Sequence, residues 1–131
     1  MDNKQYELAI DILTNYEAIS PKTENLRLLF LSDCFYNIEE YHMAIETANK
    51  LLKRDHKNEY ASRIKYFSYN ELEDYENALN EIIGFLSNNK ANLYETTLRE
   101  LLIDIKRENI SLINIVYKMK EIALKNNIII Q

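Results

Sequence analysis

His42 and His56 are the only histidines in the chain, and Cys34 is the only cysteine. These are the residue types that most often ligate metals or attack substrates. No Cys or second His stands at metal-ligand spacing from either histidine, so the pattern predicts no metal site. Cys34 falls in a strongly apolar stretch, "LRLLFLSDCF", with no base beside it. A nucleophilic thiol needs such a neighbour, so Cys34 reads as a buried structural residue. Glu39–Glu40 and Glu73–Asp74 are the closest carboxylate pairs. Both lie just ahead of helical stretches, where negative charge suits the helix dipole better than it suits acid–base chemistry. A single glycine, Gly84, lies inside a helical pattern, which excludes a glycine-rich phosphate loop. The expectation is a protein without catalysis, metal or cofactor.

The elements must therefore be read for what they present to a partner. The 131 residues suffice for one domain with a core, and 47% are apolar against 28% charged, the balance of a soluble globular chain. One Gly and one Pro are too few for hairpin turns, so the fold class expected is all-α. A net charge of −5 and a pI near 5.1 leave no basic footprint, so nucleic acid is not an expected partner. No apolar run reaches the roughly 20 residues of a membrane span. The N-terminal "MDNKQYELAI" lacks the basic and apolar regions of a signal peptide. A cytoplasmic location is expected, and the abundance of Asn, Ile and Lys suggests an AT-rich bacterial genome.

Apolar residues recur at helical spacing almost throughout. Seven helices are expected, at about residues 3–17, 23–36, 39–54, 58–71, 73–87, 92–106 and 109–125. Asp2 with Gln5 and Asn92 with Glu95 read as capping boxes, Asn58 and Asn109 as caps. Tyr6, Ala9, Ile10, Leu13 and Tyr16 form the expected buried stripe of the first helix. Ser20–Pro21 breaks the chain before the second. The isoleucine-rich end, "NNIIIQ", is expected to pack back on the last helices, since it is an aggregation hazard if free.

Two stretches repeat. "FYNIEEYHMAI" aligns with "YNELEDYENAL", pairing Glu39 with Glu73, Tyr41 with Tyr75 and Ala44 with Ala78. At the same interval Phe35 pairs with Tyr69, Ile38 with Leu72, Ile45 with Leu79, Leu52 with Leu86 and Asn58 with Asn92. That period, about 34 residues on paired helices, resembles the tetratricopeptide repeat. "SYNELEDYENAL" is similar to that family's turn between its helices A and B, where an alanine enters helix B and permits close approach. Tyr41 and Tyr75 then fill the gap between hairpins. Tyr6, Ala9 and Pro21 fit helix B of an earlier repeat whose helix A is absent. The resemblance implies antiparallel hairpins stacked as a short right-handed solenoid, divided at residues 1–22 (a partial repeat), 23–57, 58–91, 92–125 (a degenerate or capping repeat) and 126–131 (a tail). The chain departs from the pattern at Tyr66, where the family carries a small residue, and at Ser62, Asn109 and Leu112.

Family geometry places helix A on the concave face. Carried over residue by residue, that face presents Leu29, Asp33 and Tyr36, then Tyr60, Arg63, Phe67 and Asn70, then Tyr94, Thr97 and Leu101. Aromatic and arginine side chains are what interface hot spots favour, although Tyr36, Tyr60 and Phe67 are equally suited to filling gaps between helices. The Lys, Asn and Arg clamp with which some members grip a C-terminal carboxylate is not reproduced. The function expected is binding of another protein or peptide on this face. A small acidic subunit of immunity or antitoxin type, neutralising a basic partner, is one alternative. A self-assembling scaffold is another, with a homodimer covering the apolar edge of the partial N-terminal repeat.

Overall fold

The computed structural model describes residues 2–108 and 121–127. It is all-helical, and no strand occurs among the described residues. The helices are α1 (Asn3–Asn15), α2 (Pro21–Asn37), α3 (Tyr41–Arg54), α4 (Glu59–Glu71), α5 (Tyr75–Asn88) and α6 (Glu95–Glu108). Residues 121–125 are also helical. The rest of the expected seventh helix, with Asn109 and Leu112, and the tail beyond Asn127 lie outside the described residues. None of the described helices is long and apolar enough to cross a membrane. The chain groups into two compact units, one ending at Glu81 and the other starting at Ile82, within α5.

Helix starts follow local chemistry. Asp2 caps α1 by accepting from the Gln5 amide at 3.0 Å, while Gln5 Oε1 accepts from the Asp2 amide, a reciprocal capping box. Ser20 caps α2 and Pro21 occupies its first turn, so this helix begins two residues before the expected start. Asn58 caps α4 through the Ala61 amide at 3.0 Å. Helix α6 corrects the sequence reading. Its first backbone bond runs from Leu98 to the Tyr94 carbonyl, because residues 92–94 are spent on a turn closed by the Glu95 amide on the Asn92 carbonyl. Asn92 is therefore not the residue that opens the helix.

In the first unit α2 packs on α1 and α3, α3 packs on α4, and α2 reaches α4. The connections are short, so α2 and α3 run antiparallel and α2 and α4 run parallel. Leu28, Ala48, Leu51 and Ala61 form one buried cluster, with Leu29, Leu52 and Ile64 packed on its edge. Ala44 and Ala78, the two alanines of the repeated motif, are 0% and 1% exposed. Small residues at such buried positions are what a close helix crossing favours. Helix α1 differs: none of its residues is buried, and Tyr6 and Ala9 are only half-buried. Tyr16, expected in its buried stripe, is 47% exposed because it stands beyond the last turn as the C-cap. Arg27 holds α1 down by donating to the Leu13 carbonyl at 3.1 Å.

The repeat interval holds in the backbone itself. After α2, Glu39 N–H bonds the Tyr36 carbonyl and Glu40 N–H the Phe35 carbonyl; after α4, Glu73 bonds Asn70 and Asp74 bonds Tyr69. These are Schellman closures, and each places a left-handed residue after the helix. Glu39 has φ 66° and Glu73 φ 58°, where glycine is the usual occupant. An L-residue there costs about 1–2 kcal/mol. Glu39→Gly and Glu73→Gly are each expected to stabilise the protein by about 0.5–1 kcal/mol, after allowing for glycine's greater unfolded-state entropy. Chemical denaturation of the single and double variants measures this, and additive gains in both are the expected result.

The second hairpin replaces apolar contacts of the first with charge. Leu28, Leu31 and Thr47 are buried in the first. Their counterparts one repeat later are Ser62, Lys65 and Glu81. Glu81 accepts from Ser62 Oγ at 2.7 Å and pairs with Lys65 Nζ at 2.5 Å. The Lys65 and Glu81 side chains are only 14% and 13% exposed. Removing one partner strands the other, which typically costs about 3–5 kcal/mol. Lys65→Leu alone is expected to lose stability of that order. The double change Lys65→Leu, Glu81→Thr, which transplants the first hairpin's pair, is expected to recover most of it in the same denaturation assay.

Candidate partner-binding face

Leu29, Asp33 and Tyr36 on α2 stand one repeat before Arg63, Phe67 and Asn70 on α4. Each triplet has the i, i+4, i+7 spacing of a single helix face. α2 and α4 run parallel and touch, so the triplets form two rows on neighbouring helices. Tyr60 extends the α4 row by one turn and is 56% exposed. Leu29 is half-buried against the apolar cluster. Arg63, Phe67, Tyr36 and Asn70 are half-buried, and Asp33 is exposed.

The Arg63 guanidinium lies 5.6 Å from the centroid of the Phe67 ring. That is within cation–π range. Phe67 also meets Tyr66 edge-on, at a centroid distance of 5.2 Å. Arg63 Nε is buried without a hydrogen-bond partner, and Arg63 makes no ion pair among the described residues. The polarity reverses toward the C-terminal end of the rows. Tyr36 stacks edge-on against Tyr41 at 5.6 Å. Burial raises the Tyr36 phenol above its ordinary pKa, and the charges of Glu71 and Asp33 add to this. Burial likewise raises Tyr41, with Glu71 and Glu39 contributing. Desolvation raises the Asp33 carboxyl, opposed by a hydrogen bond from Asn37. One end of the face thus carries a cation and aromatic rings, and the other carries negative potential.

Two expected residues are placed elsewhere. Tyr94 is fully buried, with its ring 5.7 Å from Phe85, so it belongs to the core of the second unit and offers no binding surface. It stands in the turn at residues 92–94, ahead of α6. Tyr75, expected to fill a gap as Tyr41 does, is 59% exposed. Tyr41 has the Tyr36 ring to stack on, whereas the matching position beside Tyr75 is Asn70. Thr97 and Leu101 are half-buried in the second unit. Cys34 is buried, and that burial, with the nearby Asp33 charge, pushes its thiol pKa up and keeps it protonated. No group of three or more His, Cys, Asp or Glu is placed to hold a metal among the described residues.

Lys65 and Glu81 are polar residues that composition alone did not single out; comparing the two hairpins position by position exposes them. Ser68 is a third case. It is fully buried with its hydroxyl unpartnered, at the position that Cys34 fills in the first hairpin. A buried, unmade hydrogen bond costs about 1–3 kcal/mol. Ser68→Ala is expected to raise stability by about 1 kcal/mol, read from the denaturation midpoint at unchanged slope. No family model matches the chain, and searches of curated proteins and of solved structures return no match, so this face is characterised by its own geometry.

Proposed function

We propose that the protein is a non-catalytic binding module that takes an extended or helical peptide along the paired rows of α2 and α4. The observation that carries this is Arg63: a guanidinium set against Phe67, its Nε buried and unpartnered, with no carboxylate of the described residues paired to it. A partner's carboxylate or backbone carbonyl pairs with the half-buried guanidinium, and Phe67 with Tyr60 supplies apolar area beside it. Glu71, next to Asn70 at the other end, sets the direction by favouring a basic group there. The shared position of the two rows within the repeat supports a tetratricopeptide-like arrangement, with these rows on its concave side.

A second reading draws on the turns that end α2 and α4. Glu39, Glu40, Glu71, Glu73 and Asp74 gather there beside the exposed Tyr75. This suits a basic partner protein, as for a neutralising subunit.

Selection from a displayed random-peptide library separates the two. Binding on the rows enriches peptides that carry Asp or Glu. These should lose about tenfold or more in affinity with Arg63→Ala or Phe67→Ala, the cost of one hot spot, in variants whose helicity is unchanged. Enriched Lys- and Arg-rich peptides that ignore both substitutions and weaken steeply with salt would favour the acidic turns and overturn the first reading.

A further inference from the structure

The apolar arc of α1 is wider than its neighbour covers. At about 100° per residue, Ala9, Leu13, Tyr6 and Ile10 occupy one arc and are half-buried. Leu8 and Ile12 continue that arc by roughly another 100°, yet they are 60% and 59% exposed, and Tyr16, the C-cap, is 47% exposed. Ile19, just beyond the helix, is 89% exposed. Exposed apolar side chains gathered in this way on a charged surface mark an interaction site.

Charge indicates what fits it. The chain as a whole carries −5, and much of that charge sits at the turns after α2 and α4. Like copies therefore repel one another across those turns. The α1 stripe is edged by Lys4 and Asp11, both exposed and both on the side away from Ala9 and Leu13. One cation and one anion, two turns apart on one rim, are self-complementary under a two-fold axis. An antiparallel second copy brings each Lys4 to the other's Asp11, with Leu8 beside the axis.

We propose that the outer face of α1 is a self-association site, occupied by α1 of a second copy of this chain packed antiparallel. A single-helix contact lies at the small end of the interface range, so the dimer is expected to dissociate in the micromolar range. Sedimentation equilibrium from about 1 to 300 µM tests this on the full chain. The wild type should shift from monomer to dimer. Leu8→Asp with Ile12→Asp should abolish the shift at unchanged helicity, since both residues are already exposed. Lys4→Asp should weaken association about tenfold, and Lys4→Asp combined with Asp11→Lys should restore it. A wild type that stays monomeric at the highest concentration overturns the proposal, as does a dimer indifferent to the Leu8 and Ile12 changes, or a double charge swap that fails to restore association.

Discussion

The close approach of α3 to its neighbours is the contact on which the first unit depends. Ala44 and Ala48 are fully buried on α3, and Ala61 is fully buried on α4. Small side chains let backbones come near enough for Leu28 and Leu51 to interlock between them. That packing aligns α2 and α4 side by side, and so makes one surface from residues far apart in the chain. It also holds the two Schellman turns in a conformation their glutamates disfavour. The local cost of a left-handed Glu39 or Glu73 persists because tertiary packing over-determines the turn.

The two hairpins show two physical solutions to one packing problem. Where the first buries leucines against Thr47, the second buries a lysine, a glutamate and a serine that satisfy one another. Apolar packing tolerates small shifts in position. A hydrogen-bonded ion pair fixes one register, because any other leaves a charge unpaired in low dielectric. The second hairpin also carries the only arginine of the two rows, which α4 presents beside Phe67. An Arg that had found an internal carboxylate would have a structural role. Arg63 instead leans on a ring and makes no ion pair among the described residues.

Helix α1 stands apart energetically. It is fastened by a capping box, one arginine on a terminal carbonyl and half-buried contacts, without a buried residue of its own. Elements held in this way open at lower free energy than the core they rest on. A second copy laid along its outer stripe would bury Leu8 and Ile12 and strengthen the element that most needs it. The two surfaces are chemically distinct: the α1 stripe is apolar with a balanced rim, and the α2–α4 rows are polar at both ends.

Helix positions, the caps at Asp2 and Asn58, the break at Ser20–Pro21 and the repeat interval were legible in the chain, because each depends on residue types within a turn or two or on simple spacing. The close packing of Ala44 and Ala78 was legible too, since only a close crossing favours alanine there. Tertiary structure decided what local pattern cannot. Tyr75 and Tyr41 occupy the same repeat position, but whether the ring is covered depends on the residue across the hairpin, Asn70 in one case and Tyr36 in the other. Tyr94 has the spacing of a surface residue and is fully buried against Phe85, in the turn that precedes α6. Nothing within a turn or two marks Lys65 and Glu81 as a pair; the fold brings them together. Periodicity reports which face of a helix is apolar; it carries no information on how much of that face a distant segment will reach, and side-chain burial is set by that reach.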